Sequence, residues 1–275
     1  MAALIGWLSR PLPQRFDQPG ASLLELLDHD TTVGSRVVPK VPPGSDHVPL
    51  EIRVGLVSQS PITAFRPGPM VRCRYQHGDV IPAQELMNRI ASSPQDEIHC
   101  SGGPVQINQK HYQGDVSLLK GQGDWLPVVS LDLETYVASV VGAEMPSNWH
   151  EEALKAQAVA ARSYAMAHLA RPATTAYHLG DTTRWQVFAG EQSTTPASRS
   201  ATLETRGIIL SYSGGIVESL YASNAQVSAE AHGHLGASMS QSGAQQLAHQ
   251  GLPFNAILGR YYAGASLARL TWHDQ

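Results

Sequence analysis

Cysteines, charged residues and long apolar runs are scarce in this sequence, and each scarcity excludes a class of protein. The 2 cysteines, Cys73 and Cys100, are too few for a disulfide scaffold and lack the spacing of metal ligands. They could form one disulfide or remain two buried thiols. Charged residues make up only 15% and the net charge is −4, so we expect no nucleic-acid partner. No apolar run reaches the roughly 18 residues of a membrane span, so no transmembrane segment is expected.

The remaining composition, with 42% apolar residues in a chain of 275, is typical of a globular protein with a substantial core. Residues 1–48 lack periodicity and are rich in proline, which predicts an extended or poorly ordered lead-in. The opening MAALIGWLSRPL has neither a basic start nor a small-residue cleavage site, so we predict no signal peptide. Residues 49–270 are expected to form one domain, with a β-rich part over 49–130 and a helical part over 131–270.

Two predicted helices, over 131–144 and 148–170, form the centre of this domain. In the first, Leu133, Val137 and Val140 recur at helical spacing, and Glu144 falls on the same apolar stripe. Burial would disfavour the charged form of that carboxylate and raise its pKa. Pro146 ends the helix, because the residue before a proline is excluded from the α region.

The second helix is rich in alanine, which lets neighbouring elements approach its backbone and predicts a buried, central position. Asn148 is its expected N-cap, with Glu151 completing a capping box. Arg162 lies inside this helix. Because charged side chains are rarely buried without a partner, it must meet an anion of the protein or of a ligand.

The last third alternates short helices and strands. We predict helices over 197–205, 241–249 and 254–262, a hairpin from 208 to 221 around Ser213-Gly214-Gly215, a loop over 222–236, and a closing strand over 266–270. Because the helices do not alternate regularly with strands, the fold class is α+β rather than a parallel α/β sheet.

Three segments resemble motifs of one family, and they follow one another in the same order as in that family. LETYVASVVGAEMPSNWHEEALKAQAVAARSYA, DTTRWQVFAG and SMSQSGAQQLAHQGLPFNAILGRYYAGASL are similar to the motifs of the sporulation stage II protein D (SpoIID) and amidase-enhancer (LytB) family. The resemblance covers roughly residues 51–270. It implies an extracytoplasmic protein of the periplasm or cell wall that acts on peptidoglycan glycan strands, with a cell-wall amidase as a further partner. Its best-understood members look like lytic transglycosylases that cleave strands lacking peptide stems.

The resemblance also implies roles for individual residues. Glu144, in the A-E-M-P segment, would be the catalytic acid/base, and Arg162 would help to bind substrate. The other expected substrate-binding residues are Asp181, Gln186, Tyr221, Ser240 and Gln241. No cofactor or metal is expected, because the zinc-binding cysteines of some members have no counterpart near residues 177–185.

Alternatives remain for these residues. Glu144 could instead be a buried structural glutamate tied to Arg162 or to a helix terminus, and the 239–241 segment could be only a helix cap. His232 and His234 are too few to predict a zinc site. Two departures from the family are Ser223-Asn224-Ala225-Gln226 in place of S-S-G-G-x-T with a shortened stretch after it, and Ser242 in place of an aromatic. The shortened stretch favours a second hypothesis. In that hypothesis the protein is a non-catalytic module that binds peptidoglycan or an amidase.

Overall fold

The computed structural model describes residues 37–44, 48–92, 97–120, 124–232 and 237–271. Its first half is built mainly of strands. These elements are β1 (Glu51–Gly55), β2 (Phe65–Pro67), β3 (Arg72–Tyr75), β4 (Val80–Ile81), α1 (Leu86–Ser92), β5 (Ile98–Ser101), β6 (Val105–Ile107), β7 (Lys110–Tyr112), β8 (Asp115–Lys120) and β9 (Trp125–Asp132).

The second half is mainly helical. Its elements are α2 (Leu133–Glu144), α3 (Glu151–Ala170), β10 (Leu179–Gly180), α4 (Pro196–Glu204), β11 (Ile208–Tyr212), β12 (Gly215–Ile216), β13 (Leu220–Ala222), α5 (Ala225–His232), β14 (Ser238–Ser240), α6 (Gln241–His249), α7 (Phe254–Tyr261) and β15 (Ser266–Arg269). Together with the strand-rich first half, this order confirms the predicted α+β class.

The largest sheet has the strand order β10-β1-β9-β8-β5-β3-β4 and is antiparallel except for the β1–β10 pair. Smaller sheets pair β2-β6-β7, β12-β11-β15 and, in parallel, β13-β14. Cys73 and Cys100 lie directly opposite each other on β3 and β5 and are joined by a disulfide. This bond decides between the two states that the sequence left open.

Helix α3 lies between two apolar cores, as its alanine content predicted. Ala158, Ala161 and Ala165 pack into the core formed by the large sheet and α2. Ala156 and Ala160 belong to a second core with β11, α6 and α7. Small side chains on both faces allow both cores to approach the helix axis.

The helix starts differ from prediction. Helix α2 begins at Leu133, since Asp132 accepts hydrogen bonds from the N–H groups of residues 134 and 135 and is the N-cap. For α3 the predicted Asn148 cap is wrong. His150 is the N-cap, and its Nδ1 accepts from the N–H of Glu152. The intervening residues form a turn in which Trp149 N–H donates to the Pro146 carbonyl at 3.1 Å, so helical geometry starts later.

Two further predictions, both for the last third of the chain, differ in part from the structure. Helix α5 occupies part of the predicted loop over 222–236, with Asn224 Oδ1 accepting from the N–H of Val227 at its first turn. The hairpin is confirmed as β11–β12, but its second arm stops at Ile216, and Leu220–Ala222 pairs with β14 instead. That pairing matters for the candidate site, because it places Tyr221 beside the start of α6.

The predicted lead-in over 1–48 is described only at residues 37–44 and 48, which form neither helix nor strand. Its carbonyls are nevertheless hydrogen-bonded to the C-terminal part: Pro39 accepts from Asn255 Nδ2 at 2.9 Å and Pro43 from Arg269 Nε at 3.0 Å. The division of the domain near residue 130 stays a prediction. In the described part of the chain, no helix has the length and apolar content to cross a membrane.

Candidate active site

Glu144 is the last residue of α2, where the apolar stripe of the helix ends. Leu133, Val137 and Val140 are buried, as the stripe predicted, whereas Glu144 is half-buried. Its Oε1 accepts a hydrogen bond from the backbone N–H of Val187 at 2.9 Å. Because Pro146 stops the helix two residues later, the carboxyl group lies at a helix end rather than inside the core.

The surroundings of Glu144 favour its protonated form. Burial raises the pKa of this carboxyl above its usual range, and hydrogen bonding from Val187 N–H and the Gln241 amide offsets only part of that rise. Within the described ranges, Glu144 makes no ion pair with a lysine, arginine or histidine. The alternative that Glu144 pairs with Arg162 is therefore not what the structure contains.

Gln186 links two tyrosines next to this carboxyl. Its Oε1 accepts from the Tyr136 hydroxyl at 3.0 Å, and its Nε2 donates to the Tyr221 hydroxyl at 2.9 Å and to the Ala161 carbonyl at 3.3 Å. Burial raises the pKa of both tyrosines, and the charge of Glu144 adds to that rise. Gln186 itself is 1% exposed, so it positions Tyr221 and has no surface left for a ligand.

Gln241 approaches Glu144 from the opposite side. It is the first residue of α6 and is 4% exposed, and the parallel β13–β14 pairing brings Tyr221 level with Met239, two residues before it. Its Nε2 is buried and has no hydrogen-bond partner of ordinary length among the described residues. An unpaired buried donor is costly and calls for a water or ligand atom as its partner.

Arg162 does not fit the expected role in substrate binding. It is fully buried, and its guanidinium forms a two-bond ion pair with Glu134, Nε to Oε1 at 2.9 Å and Nη2 to Oε2 at 2.7 Å. The carbonyls of Ile208 and Thr202 accept its remaining bonds at 3.0 and 3.3 Å. With its donors occupied and no exposed surface, Arg162 holds α2, α3 and β11 together and is closed to a ligand carboxylate.

Asp181 and Ser240 also make internal contacts. Asp181 is 4% exposed, and its carboxylate accepts from the backbone N–H of Ser58 at 3.0 Å and from the Ser58 hydroxyl. Ser240 is the N-cap of α6 and accepts from the N–H of Gly243 at 3.0 Å. Of the predicted residues, the structure thus brings Glu144, Gln186, Tyr221 and Gln241 together, and it places Arg162, Asp181 and Ser240 in supporting contacts.

Neither of the two histidines considered above as zinc ligands indicates a metal centre. His232, the last residue of α5, lies with Nδ1 2.9 Å from the Ser238 hydroxyl, and His234 is outside the described residues. Over the ranges that the structure describes, no group of three or more histidine, cysteine or acidic side chains is arranged to hold a metal ion.

Sequence reasoning missed two groups of this site. Tyr136 could have been found, because Tyr136, Val140 and Glu144 form one i, i+4 row along α2. The Val187 N–H could not, since a backbone donor has no signature in residue type. The Gln186 contacts are also set by tertiary packing, with its three partners 25, 35 and 50 residues away along the chain.

Comparison with known proteins identifies the same central segment. The family model SpoIID, Stage II sporulation protein, matches residues 121–212. An uncharacterized protein of Brachyspira hyodysenteriae is 34% identical over 116 residues, which is 42% of this chain and 32% of that protein. The amidase enhancer of Bacillus subtilis is 39% identical over 85 residues, 31% of this chain and 11% of that protein.

The matches thus span less than a third of one curated relative and about a tenth of the other. The matched family segment runs from β9 through α2, α3 and α4 to β11, and it contains both Glu144 and Gln186. The predicted resemblance to the SpoIID family, which includes a named amidase enhancer among the relatives, is therefore confirmed over residues 121–212.

Proposed function

We propose that this protein cleaves peptidoglycan glycan strands as a lytic transglycosylase, with Glu144 as its single acid and base. One observation carries the proposal: Glu144 is a half-buried carboxyl with a raised pKa and no ion-pair partner among the described residues. Such a group holds its proton to a higher pH than an ordinary carboxyl does, which suits it to donate that proton to a leaving oxygen.

The reaction needs only one carboxyl group. Glu144 protonates the glycosidic oxygen as the bond between that oxygen and the muramic acid C1 breaks. The resulting Glu144 carboxylate then takes the proton of the C6 hydroxyl while the C6 oxygen bonds to C1. This step closes a 1,6-anhydro ring and restores the acid. Asp181, the other motif carboxylate, is occupied by Ser58, which agrees with a mechanism that uses no second carboxyl.

Two side chains beside Glu144 are suited to contact the sugar. Tyr221 is half-buried and is held by Gln186. Gln241 interacts with the carboxyl through its amide, and its buried Nε2, which has no hydrogen bond of ordinary length among the described residues, could donate to a sugar hydroxyl if the side chain turned toward the substrate. With Arg162 closed to ligands, the preference for strands without peptide stems is supported only by the family resemblance.

The Cys73–Cys100 disulfide supports an extracytoplasmic location for this activity. Disulfides persist in oxidising compartments such as the periplasm and the cell surface and are rare in the cytosol. Peptidoglycan lies in the same compartments, so the covalent structure of the chain agrees with the proposed substrate.

A second candidate function is the stimulation of a cell-wall amidase without glycan cleavage. It is favoured by the 39% identity to a protein named amidase enhancer and by the shortened stretch after Tyr221. In that case the residues around Glu144 would bind glycan or amidase and would not perform chemistry.

One experiment separates the two functions. Purified protein is incubated with peptide-free glycan strands, and the products are examined by mass spectrometry for 1,6-anhydro ends, with Glu144→Gln as the matched variant. Cleavage by the wild type alone supports the transglycosylase. If the wild type makes no anhydro product yet accelerates an amidase on intact walls, the proposal is contradicted and the second candidate is supported.

A further inference from the structure

A cavity lies beside the N-terminal half of α2, away from Glu144 at the other end of that helix. Its volume is about 580 Å³, and it is bounded by α2, α4 and the turn after Phe188. The residues that line it are Gln113, Leu131, Asp132, Glu134, Thr135, Ala138, Ser139, Phe188, Gly190, Glu191, Thr194, Arg199, Thr202, Leu203 and Arg206. None of Glu144, Tyr221 and Gln241 belongs to this lining, so the cavity is distinct from the candidate active site.

Two arginines give the cavity cationic groups that the fold does not use. Arg199 is exposed on α4 and Arg206 is half-buried just after it. Across the described ranges, neither forms an ion pair or a side-chain hydrogen bond. Guanidinium groups pair well with carboxylates, so both are available to an anionic ligand.

The acidic residues of the lining are mostly committed elsewhere. Glu134 is paired with Arg162, and Asp132 caps α2 by accepting from the N–H groups of residues 134 and 135. Glu191 is the remaining carboxylate, and it is exposed to solvent, which screens its charge. The half-buried charge of the lining that has no partner among the described residues is therefore that of Arg206.

Two buried polar atoms in the lining lack partners. Thr202 is 3% exposed, and its Oγ1 makes no hydrogen bond; the Nε of Arg206 is also buried and unpaired. Both residues line the cavity, so a shift of either side chain toward a ligand would pair these donors and recover the free-energy cost of leaving them unpaired. The hydroxyl can donate to an anionic oxygen, and so can the guanidinium.

The rest of the wall is apolar. Leu131, Ala138 and Phe188 are buried and contribute to the lining, and Leu203 is 55% exposed at the rim. Apolar lining with a few convergent polar groups is the usual composition of a small-molecule site.

We propose that this cavity binds a small molecule with a carboxylate group and a short apolar chain. The carboxylate contacts Arg206, Thr202 and Arg199, and the chain packs against Leu131, Ala138 and Phe188. This site is independent of the proposed glycan cleavage, and its test measures binding alone.

The test uses the full chain and three ligands of one length: octanoate, 1-octanol and octylammonium, each titrated by calorimetry. Octanoate should bind with one site per chain. Octanol should bind at least about tenfold more weakly, because a hydrogen bond to a charged group typically contributes about 1.5–3 kcal/mol. Octylammonium should not bind measurably, because its charge repels the two arginines.

Variants locate the site. Arg206→Gln should weaken the binding of octanoate about tenfold or more, and Thr202→Val and Arg199→Gln should weaken it less. All three variants should bind octanol nearly as the wild type does. Arg74→Gln, an exposed arginine on β3 outside the lining, is the control and should match the wild type. The proposal is overturned if octanoate does not bind, if octanol binds as tightly, or if binding of octanoate survives both arginine changes.

Discussion

Glu134 and Glu144 lie on the same helix, and their surroundings give them opposite uses. Glu134 accepts two bonds from Arg162 and one from the N–H of Gly207, at 2.9, 2.7 and 3.1 Å. Glu144 accepts a hydrogen bond from the backbone N–H of Val187 and interacts with an uncharged amide, and no cation of the described residues pairs with it. One helix thus presents a neutralised carboxylate at its start and an unpaired carboxyl at its end.

The difference shows that the partner, not the residue type or the helix, decides what a buried glutamate can do. A carboxylate in direct contact with arginine has its oxygens occupied by that ion pair. A carboxyl whose burial is not compensated by a cation favours its protonated form. In this protein Arg162 satisfies Glu134 and thereby leaves Glu144 free for proposed chemistry.

Replacing Glu144 by glutamine tests the free carboxyl and should have the largest effect. Glutamine keeps the size and one acceptor oxygen but cannot donate an acidic proton, so glycan cleavage should fall about 100- to 10,000-fold. Stability should stay the same or rise slightly, because an amide has a smaller desolvation cost than a carboxyl. Product formation and thermal melting are measured together. Cleavage at the wild-type rate would show that Glu144 is not the catalyst.

Replacing Arg162 tests the paired carboxylate. Arg162→Met leaves the partly buried Glu134 without its cation, and we expect the free energy of unfolding to fall by about 3–5 kcal/mol. The double variant Arg162→Met with Glu134→Leu removes both charges and should recover a large part of that loss. Urea unfolding of the wild type, both single variants and the double variant checks this. A double variant as unstable as the sum of the singles would mean that the two residues do not interact.

Local signals made much of the fold predictable. The apolar stripe of α2 and the helix end at Pro146 predicted the position of Glu144, and the alanines of α3 predicted a buried helix. Each of these signals depends on residues that are near one another in sequence. Helix α5 was missed because its small, weakly patterned residues resemble a loop.

The roles of charged residues were not predictable in the same way. A sequence shows that Arg162 needs an anion, but whether that anion is Glu134 or Glu144 depends on how α2 packs against α3. The partner of Asp181 is 123 residues away, at Ser58. Burial and partner are tertiary properties, so residue type and motif position could indicate Glu144 and Gln241 but could not separate them from Arg162 and Asp181.

The pH dependence of stability should distinguish Glu144 further. Burial raises its pKa in the folded protein above the ordinary value of 4.5. Above about pH 4.5 the unfolded chain therefore binds fewer protons at this group, and its contribution to the free energy of unfolding falls until the folded pKa is passed. The stability of Glu144→Gln relative to the wild type should then rise with pH from that point. Melting of both proteins from acid to neutral pH measures it, and a relative stability that falls with pH would contradict a raised pKa.

Tyr221→Phe tests the hydrogen bond that positions a sugar contact beside Glu144, and its effect should be the smallest. The change removes the acceptor of Gln186 Nε2, which keeps only the Ala161 carbonyl at 3.3 Å, so the free energy of unfolding should fall by about 1 kcal/mol. Tyr136→Phe is the matched control, because it removes the donor to the other end of the same amide but lies fully buried.

The two variants should differ in cleavage. If Tyr221 contacts the sugar, Tyr221→Phe should raise KM severalfold, whereas Tyr136→Phe should lose a similar amount of stability and leave KM nearly unchanged. Equal changes in KM would mean that Tyr221 acts only through the amide network, as Tyr136 does. The proposed sugar contact would then be reduced to Gln241, whose side-chain amide also interacts with Glu144.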